Sequence, residues 1–344
     1  MNNAKARSRV VVISLGGTIA SVNATSNNAD TKVTPMLGAR DLVDAITQIG
    51  DVADVETVAF RTVPSGDLTF ADLVALAAEI KAHFSNGADG VVVTQGTDTI
   101  EETSFALDLL VHDSRPIVVT GAMRNPTMAG PDGPANVLAA VQVAASPAAT
   151  GLGTLVVFND EIHAARFVRK THATSTATFR SPTAGPIGWV LEGEPRIFFR
   201  LSQLDEVSVR VGIDVAPVAL LTAALGDDDR IISKIASLGY VGLVIEGFGA
   251  GHVPRWLVAA LQELTHSIPV VLTSRTGAGG ILRNTYGFPG SESDLLSREI
   301  ISAGLLDGPK ARVFLSLWLA GGNHRTTARA AFERMNASFS SCNR

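Results

Sequence analysis

The chain has 344 residues, 46% of them hydrophobic and 18% charged, enough to bury a large core and, at this length, to form two domains rather than one. A formal net charge of −5 without any block of Lys and Arg excludes the electrostatic footprint of a nucleic-acid or membrane-surface binder, so small molecules are the expected partners. The single cysteine, Cys342, excludes a disulfide framework and a cysteine metal site and fits a reducing, cytoplasmic compartment.

The chain opens with MNNAKARSR and VVVISL, basic residues ahead of an apolar run in the manner of a signal peptide. The run is short and broken by Gly16 and Gly17, so residues 9–15 read instead as a first strand. Further strands are expected at 54–62, 89–94, 116–120 and 152–158, alternating with helices over 69–84, 99–111 and 132–145. Within DLTFADLVALAAEIKAHF, Leu73, Leu76, Ala77 and Ile80 recur at helical spacing. From Thr171 to Arg200 the chain is rich in Thr, Ser, Pro and Gly and this rhythm lapses. It resumes with strands at 217–222, 240–245 and 268–273 and helices at 230–237 and 254–264. The pattern predicts a two-domain α/β protein: a larger N-terminal domain over 1–200 with a mainly parallel sheet flanked by helices, a linker over 201–214, and a smaller C-terminal α/β domain over 215–344. No apolar stretch approaches the roughly 20 residues that cross a bilayer.

In open α/β sheets the ligand lies beyond the carboxyl ends of the strands. The first four expected strands are followed by GGT (16–18), PSGD (64–67), QGTDT (95–99) and GAMR (121–124), each with a Gly or small residue that lets backbone approach a ligand. Singly, Thr18 and Thr97 read as turn or cap residues, Asp98 as a complement to a helix dipole, and Lys170 of RFVRKTHATSTATF as a surface lysine. Jointly they suit acyl transfer. A hydroxyl becomes a useful nucleophile when a neighbouring base takes its proton, and Thr97 with Lys170 forms such a relay if Asp98 holds the ammonium or the substrate. The glycines beside Thr18 and Thr97 free backbone N–H groups to face a developing oxyanion.

GGTIA (16–20) and QGTDTIEET (95–103) resemble the two signature motifs of the bacterial-type L-asparaginase family. PSGD, GAMR, DGP (132–134), VVFND (156–160) and KTHATSTATFRS (170–181) fall in the family's order, and the likeness covers essentially the whole chain, most strongly over 9–190. The resemblance implies hydrolysis of the L-asparagine side-chain amide to L-aspartate and ammonia through a threonine acyl-enzyme. Thr18 would be the nucleophile, with Thr97, Asp98 and Lys170 as the second catalytic group. Ser65 would bind the substrate α-carboxylate and Asp98 the α-ammonium; Gly17, Gly96 and Ala122 would also line the substrate, the Ala122 main chain meeting the carboxamide nitrogen. The family further implies a homo-oligomer, a dimer of intimate dimers, and neither cofactor nor metal; His163 and His172 lack ligand spacing.

The likeness fails in two places. The tyrosine that the family usually carries on the loop after GGTIA is absent from SVNATSNNADTKVTP (21–35), and Gly66 stands where many relatives place a polar side chain. Two readings stand for TSRTGAGGILRNTYGFPG: Tyr286 or Arg275 reaches a neighbouring subunit's site, or, with slightly more weight, Tyr286 is a packed loop residue. A reading of another class keeps the fold but makes the protein an amino-acid-binding or sensing protein. A third, a nicotinamide-dependent oxidoreductase, rests on EGFGAGHVP (246–254), whose third glycine comes one residue early for GxGxxG; a tight βα turn or a subunit contact is expected there instead.

Overall fold

The computed structural model describes residues 7–17, 21–23, 33–35 and 39–340. They divide into two compact units, the first running to Gln203 and the second starting at Leu204. Residues 201–217 form neither helix nor strand.

The first unit begins with β1 (Ser8–Ser14), interior from Val10 onward. The short strands β2 (Ser21–Asn23) and β3 (Val33–Pro35) pair antiparallel, and α1 (Ala39–Asp44) and α2 (Ile49–Val52) lead into β4 (Ala53–Ala59). Regular alternation follows through α3 (Phe70–Ser85), β5 (Gly90–Thr94), α4 (Ile100–Leu110), β6 (Ile117–Thr120), α5 (Gly133–Ala144) and β7 (Thr154–Phe158). Helix α3 starts where Thr69 and Asp72 form a reciprocal capping box, and its Leu73, Leu76, Ala77 and Ile80 all turn inward. Strands β5, β6 and β7 are buried at every position, as a sheet covered on both faces requires.

After β7 the chain reverses. Asn159 and Asp160, both at positive φ (51° and 60°), make a two-residue turn of the kind that matches strand twist and favours Asn and Asp. It joins β7 to the antiparallel β8 (Glu161–Ala164). The two-residue strands β9 (Arg169–Lys170) and β10 (Phe179–Arg180) pair with each other, and the hairpin of β11 (Gly188–Leu191) and β12 (Glu194–Ile197) widens the sheet beside β8. The resulting eight-stranded order is β12-β11-β8-β7-β6-β5-β1-β4, with the last five strands parallel. Because β4 lies on one side of β1 and β5 on the other, the winding direction reverses at β1. In open α/β sheets such a reversal is where a ligand crevice forms, here at the carboxyl ends of β1 and β5.

The second unit is a four-stranded parallel sheet in the order β13 (Val218–Thr222), β14 (Gly242–Gly247), β15 (Val270–Ser274), β16 (Ile301–Ser302). Its helices are α6 (Val258–Thr265), α7 (Glu292–Ser297), α8 (Gly308–Ala320) and α9 (Ala328–Ser340), and its core includes Leu243, Ile245, Leu261, Leu272 and Leu295. The helix expected over 230–237 is instead two 3-10 turns, Ile232–Lys234 and Ala236–Leu238. Only Ile232 and Ile235 point inward there, an i, i+3 pair that a three-residue turn aligns, and three β-branched isoleucines in five residues disfavour the wider helix. Among the described residues no helix is long and apolar enough to cross a membrane.

Candidate active site

At the crevice the main chain leaves β1 through Leu15, whose N–H donates to the Thr94 carbonyl at 2.9 Å, and enters two glycines at φ 95° and 91°. A Cβ on Gly17 would overlap the main chain of Gly96, and one on Gly96 would come within 2.9 Å of Ser65 Oγ. A Cβ on Gly121 would stand 2.6 Å from the Gln95 carbonyl oxygen. The loops after β1, β4, β5 and β6 therefore meet backbone to backbone, an approach that only glycine permits. Thr18, the next residue after Gly17, lies outside the described residues, as does most of the loop that lacks the tyrosine.

Ser65 is buried, and its hydroxyl has no hydrogen-bond partner among the described residues. Its carbonyl accepts from Thr99 Oγ1 at 3.0 Å, and Thr99 in turn accepts from Gln95 Nε2 at 3.3 Å. The serine is thus held by its main chain, leaving the side-chain oxygen for a ligand. A buried hydroxyl without a partner is costly, as the desolvated oxygen is not repaid by a hydrogen bond. A Cβ at Gly66 would meet open space, so packing does not demand a glycine there.

Lys170, 73 residues from Thr97 in the chain, is brought to it by β9. Its Nζ donates to Thr97 Oγ1 at 2.9 Å and to Asp98 Oδ1 at 2.6 Å, while its main-chain N–H donates to Glu101 Oε2 at 3.0 Å. Thr97 is buried and the Lys170 side chain nearly so, but the Asp98 side chain is 78% exposed. One end of this array is shielded and suited to moving a proton; the other faces solvent and can meet a charged ligand.

The strand carrying Lys170 is braced from behind. In its partner strand, Phe179 packs on Phe158 with ring centroids 4.7 Å apart, and Arg180 pairs with Glu161 at 2.8 Å. His163 Nδ1 lies 3.0 Å from Ser181 Oγ. Burial, with Arg180 adding to it, pushes the His163 pKa from 6.5 to about 4; Glu161 Oε2 stands 3.2 Å from Nε2, but that carboxylate is already committed to Arg180 and burial prevails. The ring is neutral at pH 7. Since its folded pKa lies below its unfolded one, the stability it contributes is complete above pH 6.5 and declines as pH falls toward 4. Urea unfolding across that range should lose roughly 3 kcal/mol through this ring, a component absent from His163→Gln.

Elsewhere the expected features are used locally. The Gly-rich turn after β14 spends its N–H groups on itself: Phe248 N–H donates to the His252 carbonyl (2.7 Å) and Gly251 and His252 to the Phe248 carbonyl (2.9 Å each), leaving those groups committed. Arg275 donates to the Ala223 carbonyl at 2.9 Å and stacks 4.4 Å over Phe248, within its own unit. Tyr286, half-exposed, sits edge-on to His252, and its N–H is held by the buried Glu292 carboxylate at 2.8 Å. No group of three His, Cys, Asp or Glu that could hold a metal occurs among the described residues.

Sequence reasoning overlooked Glu101, which holds the Lys170 main chain, and Asn136, which joins the turns after β6 and β7. Glu101 lies inside the QGTDTIEET motif, so position alone could have singled it out. Asn136 follows DGP by two residues, and its burial in a helix is the signal that it serves neighbouring main chain.

Residues 9–203 match the family described as Asparaginase, N-terminal, and residues 217–332 the Glutaminase/Asparaginase C-terminal domain. The chain is 34% identical to an L-asparaginase of Bacillus licheniformis, over 91% of this chain and 95% of that protein. It is 32% identical to a glutaminase-asparaginase of Pseudomonas aeruginosa, over 90% and 86% respectively. Its fold superposes on the crystal structure of a probable cytoplasmic L-asparaginase from Campylobacter jejuni with a TM-score of 0.85 at 31% identity, covering 95% of this chain and 99% of that one. Family models over both halves of the sequence and relatives over most of its length agree: the chain belongs to the asparaginase family.

Proposed function

We propose that this protein hydrolyses the side-chain amide of L-asparagine, giving L-aspartate and ammonia, with Thr18 as the acylated residue. The observation that carries the reading is the Lys170–Thr97 hydrogen bond of 2.9 Å, beside an exposed Asp98 and at the mouth of the crevice that Gly17 lines. Thr18 Oγ1 attacks the carboxamide carbon and its proton passes to the departing nitrogen. The C–N bond breaks, ammonia leaves, and a water deprotonated through Thr97 and Lys170 cleaves the ester to release aspartate. Ser65 takes the α-carboxylate, Asp98 the α-ammonium, and the main chain at Gly17, Gly96 and Ala122 lines the amide.

On this reading the residues that act on the amide come from the N-terminal domain (1–200), joined by the linker (201–214) to the C-terminal domain (215–344). No cofactor enters any step. We place the enzyme in the cytoplasm as a homo-oligomer, a dimer or tetramer, for which the exposed Leu225, Ile231 and Trp256 of the second unit offer apolar surface. L-Glutamine is the expected second substrate, one methylene longer, so discrimination of about 10- to 200-fold in kcat/KM is the range a pocket supplies. Ammonia release from the two amides, measured over a concentration series, tests this: a higher kcat/KM for asparagine supports the assignment, and a higher value for glutamine reverses it.

A further inference from the structure

The turn that carries Ala122 is held in an unusual way. Asp132 occupies the N-cap position of α5, yet its side chain takes no hydrogen bond from that helix. An aspartate there normally stabilises its own helix by accepting an N–H of its first turn. Its carboxylate instead accepts the N–H of Met123 at 3.0 Å and of Arg124 at 2.8 Å. One turn along the helix, the buried Asn136 donates through Nδ2 to the Gly121 carbonyl at 3.0 Å and to Asp132 Oδ2 at 3.2 Å. Its Oδ1 accepts the N–H of Asn159 at 3.0 Å, at the positive-φ turn between β7 and β8. The two side chains thus grip the main chain on both sides of Ala122: the Gly121 carbonyl before it, two N–H groups after it. The Ala122 carbonyl is not among the groups they use.

We infer that Asp132 and Asn136 are positioning residues that aim the Ala122 carbonyl at the carboxamide nitrogen, and so set the preference for a side-chain amide over a side-chain ester. This rests on the asparagine-hydrolysis reading above. A carboxamide offers N–H donors to that carbonyl, and the nitrogen keeps N–H bonds until it leaves as ammonia. The β-methyl ester of aspartate offers only oxygen there, which cannot donate. Aim therefore matters for the amide and is indifferent for the ester, whereas damage to the fold or to Thr18 would slow both.

The test compares kcat and KM for L-asparagine and for L-aspartate β-methyl ester in the wild type, Asp132→Ala, Asp132→Asn and Asn136→Ser. In Asp132→Ala the amide kcat is expected to fall about thirtyfold, the ester kcat no more than about threefold, with both KM values little changed. Asp132→Asn keeps an acceptor oxygen for one of the two N–H groups and should recover part of the amide loss. If Asp132→Ala does not fold, the other two variants carry the same comparison. Equal losses on amide and ester, or no loss on either, would overturn the inference. A wild type inactive on asparagine would overturn the functional reading itself, and that is seen before any variant is assayed.

Discussion

Lys170→Met is expected to lower kcat on L-asparagine by about 10²–10⁴-fold, the range that a positioned proton-transfer group supplies. The methionine keeps the apolar stem and loses the ammonium that joins Thr97 Oγ1 at 2.9 Å to Asp98 Oδ1 at 2.6 Å. Little stability should go with it. The Asp98 side chain is 78% exposed, and ion pairs so open to solvent are worth less than about 1 kcal/mol. The β9–β10 ladder is built from main-chain bonds and from the Arg180–Glu161 and Phe179–Phe158 contacts, none of which involves the Lys170 side chain. Lys170→Arg should not rescue turnover, because the planar guanidinium does not reproduce the contacts of one nitrogen to both Thr97 Oγ1 and Asp98 Oδ1. Steady-state kinetics alongside a thermal melt separate the two effects. A variant within threefold of wild-type kcat would remove Lys170 from the mechanism.

The largest expected loss of stability lies away from the crevice. Arg166 and Asp108 are both buried, with Nη2 and Oδ2 3.7 Å apart. Asp108 Oδ1 also accepts the Thr154 N–H at 2.8 Å, and Arg166 donates to the Ser202 carbonyl at 2.8 Å. Burial pushes the Asp108 carboxyl up and the Arg166 guanidinium down, and each is opposed by the other's charge. Arg166→Met would leave a carboxylate in the interior without its countercharge, at a cost of about 3–5 kcal/mol in urea unfolding at pH 7. Because the Asp108 pKa is already raised, this loss should shrink as pH falls and the carboxyl takes up a proton. The double variant Arg166→Met, Asp108→Asn, which removes both charges and keeps an acceptor for Thr154, should recover most of it. Equal stability of Arg166→Met and wild type at neutral pH would show that the pair is not carrying this part of the fold.

The parallel part of the larger sheet was legible because fully buried strands read as unbroken apolar runs and α3 repeats its apolar residues at helical spacing. The antiparallel edge was not. Strands β8, β11 and β12 have four residues each, too few for a period to declare itself, and β9 and β10 have two. The loop glycines were readable as places of close approach, and Gly17 and Gly96 do touch. The Lys170–Thr97 bond spans 73 residues, a distance that no local pattern encodes; the chemistry of a hydroxyl needing a base, and then the resemblance, paired them. The role of Asp132 was not legible at all, since only the hydrogen bonds show it serving another loop rather than its own helix.

The central claim is that Thr18 is acylated by the side-chain amide of asparagine. Ammonia release from L-asparagine by the purified protein and by Thr18→Ala tests it most directly. The account predicts ammonia matched by aspartate in the wild type, and its loss in the variant. No ammonia from the wild type, while asparagine still raises the melting temperature, would contradict the account and leave an amino-acid-binding protein on an asparaginase fold.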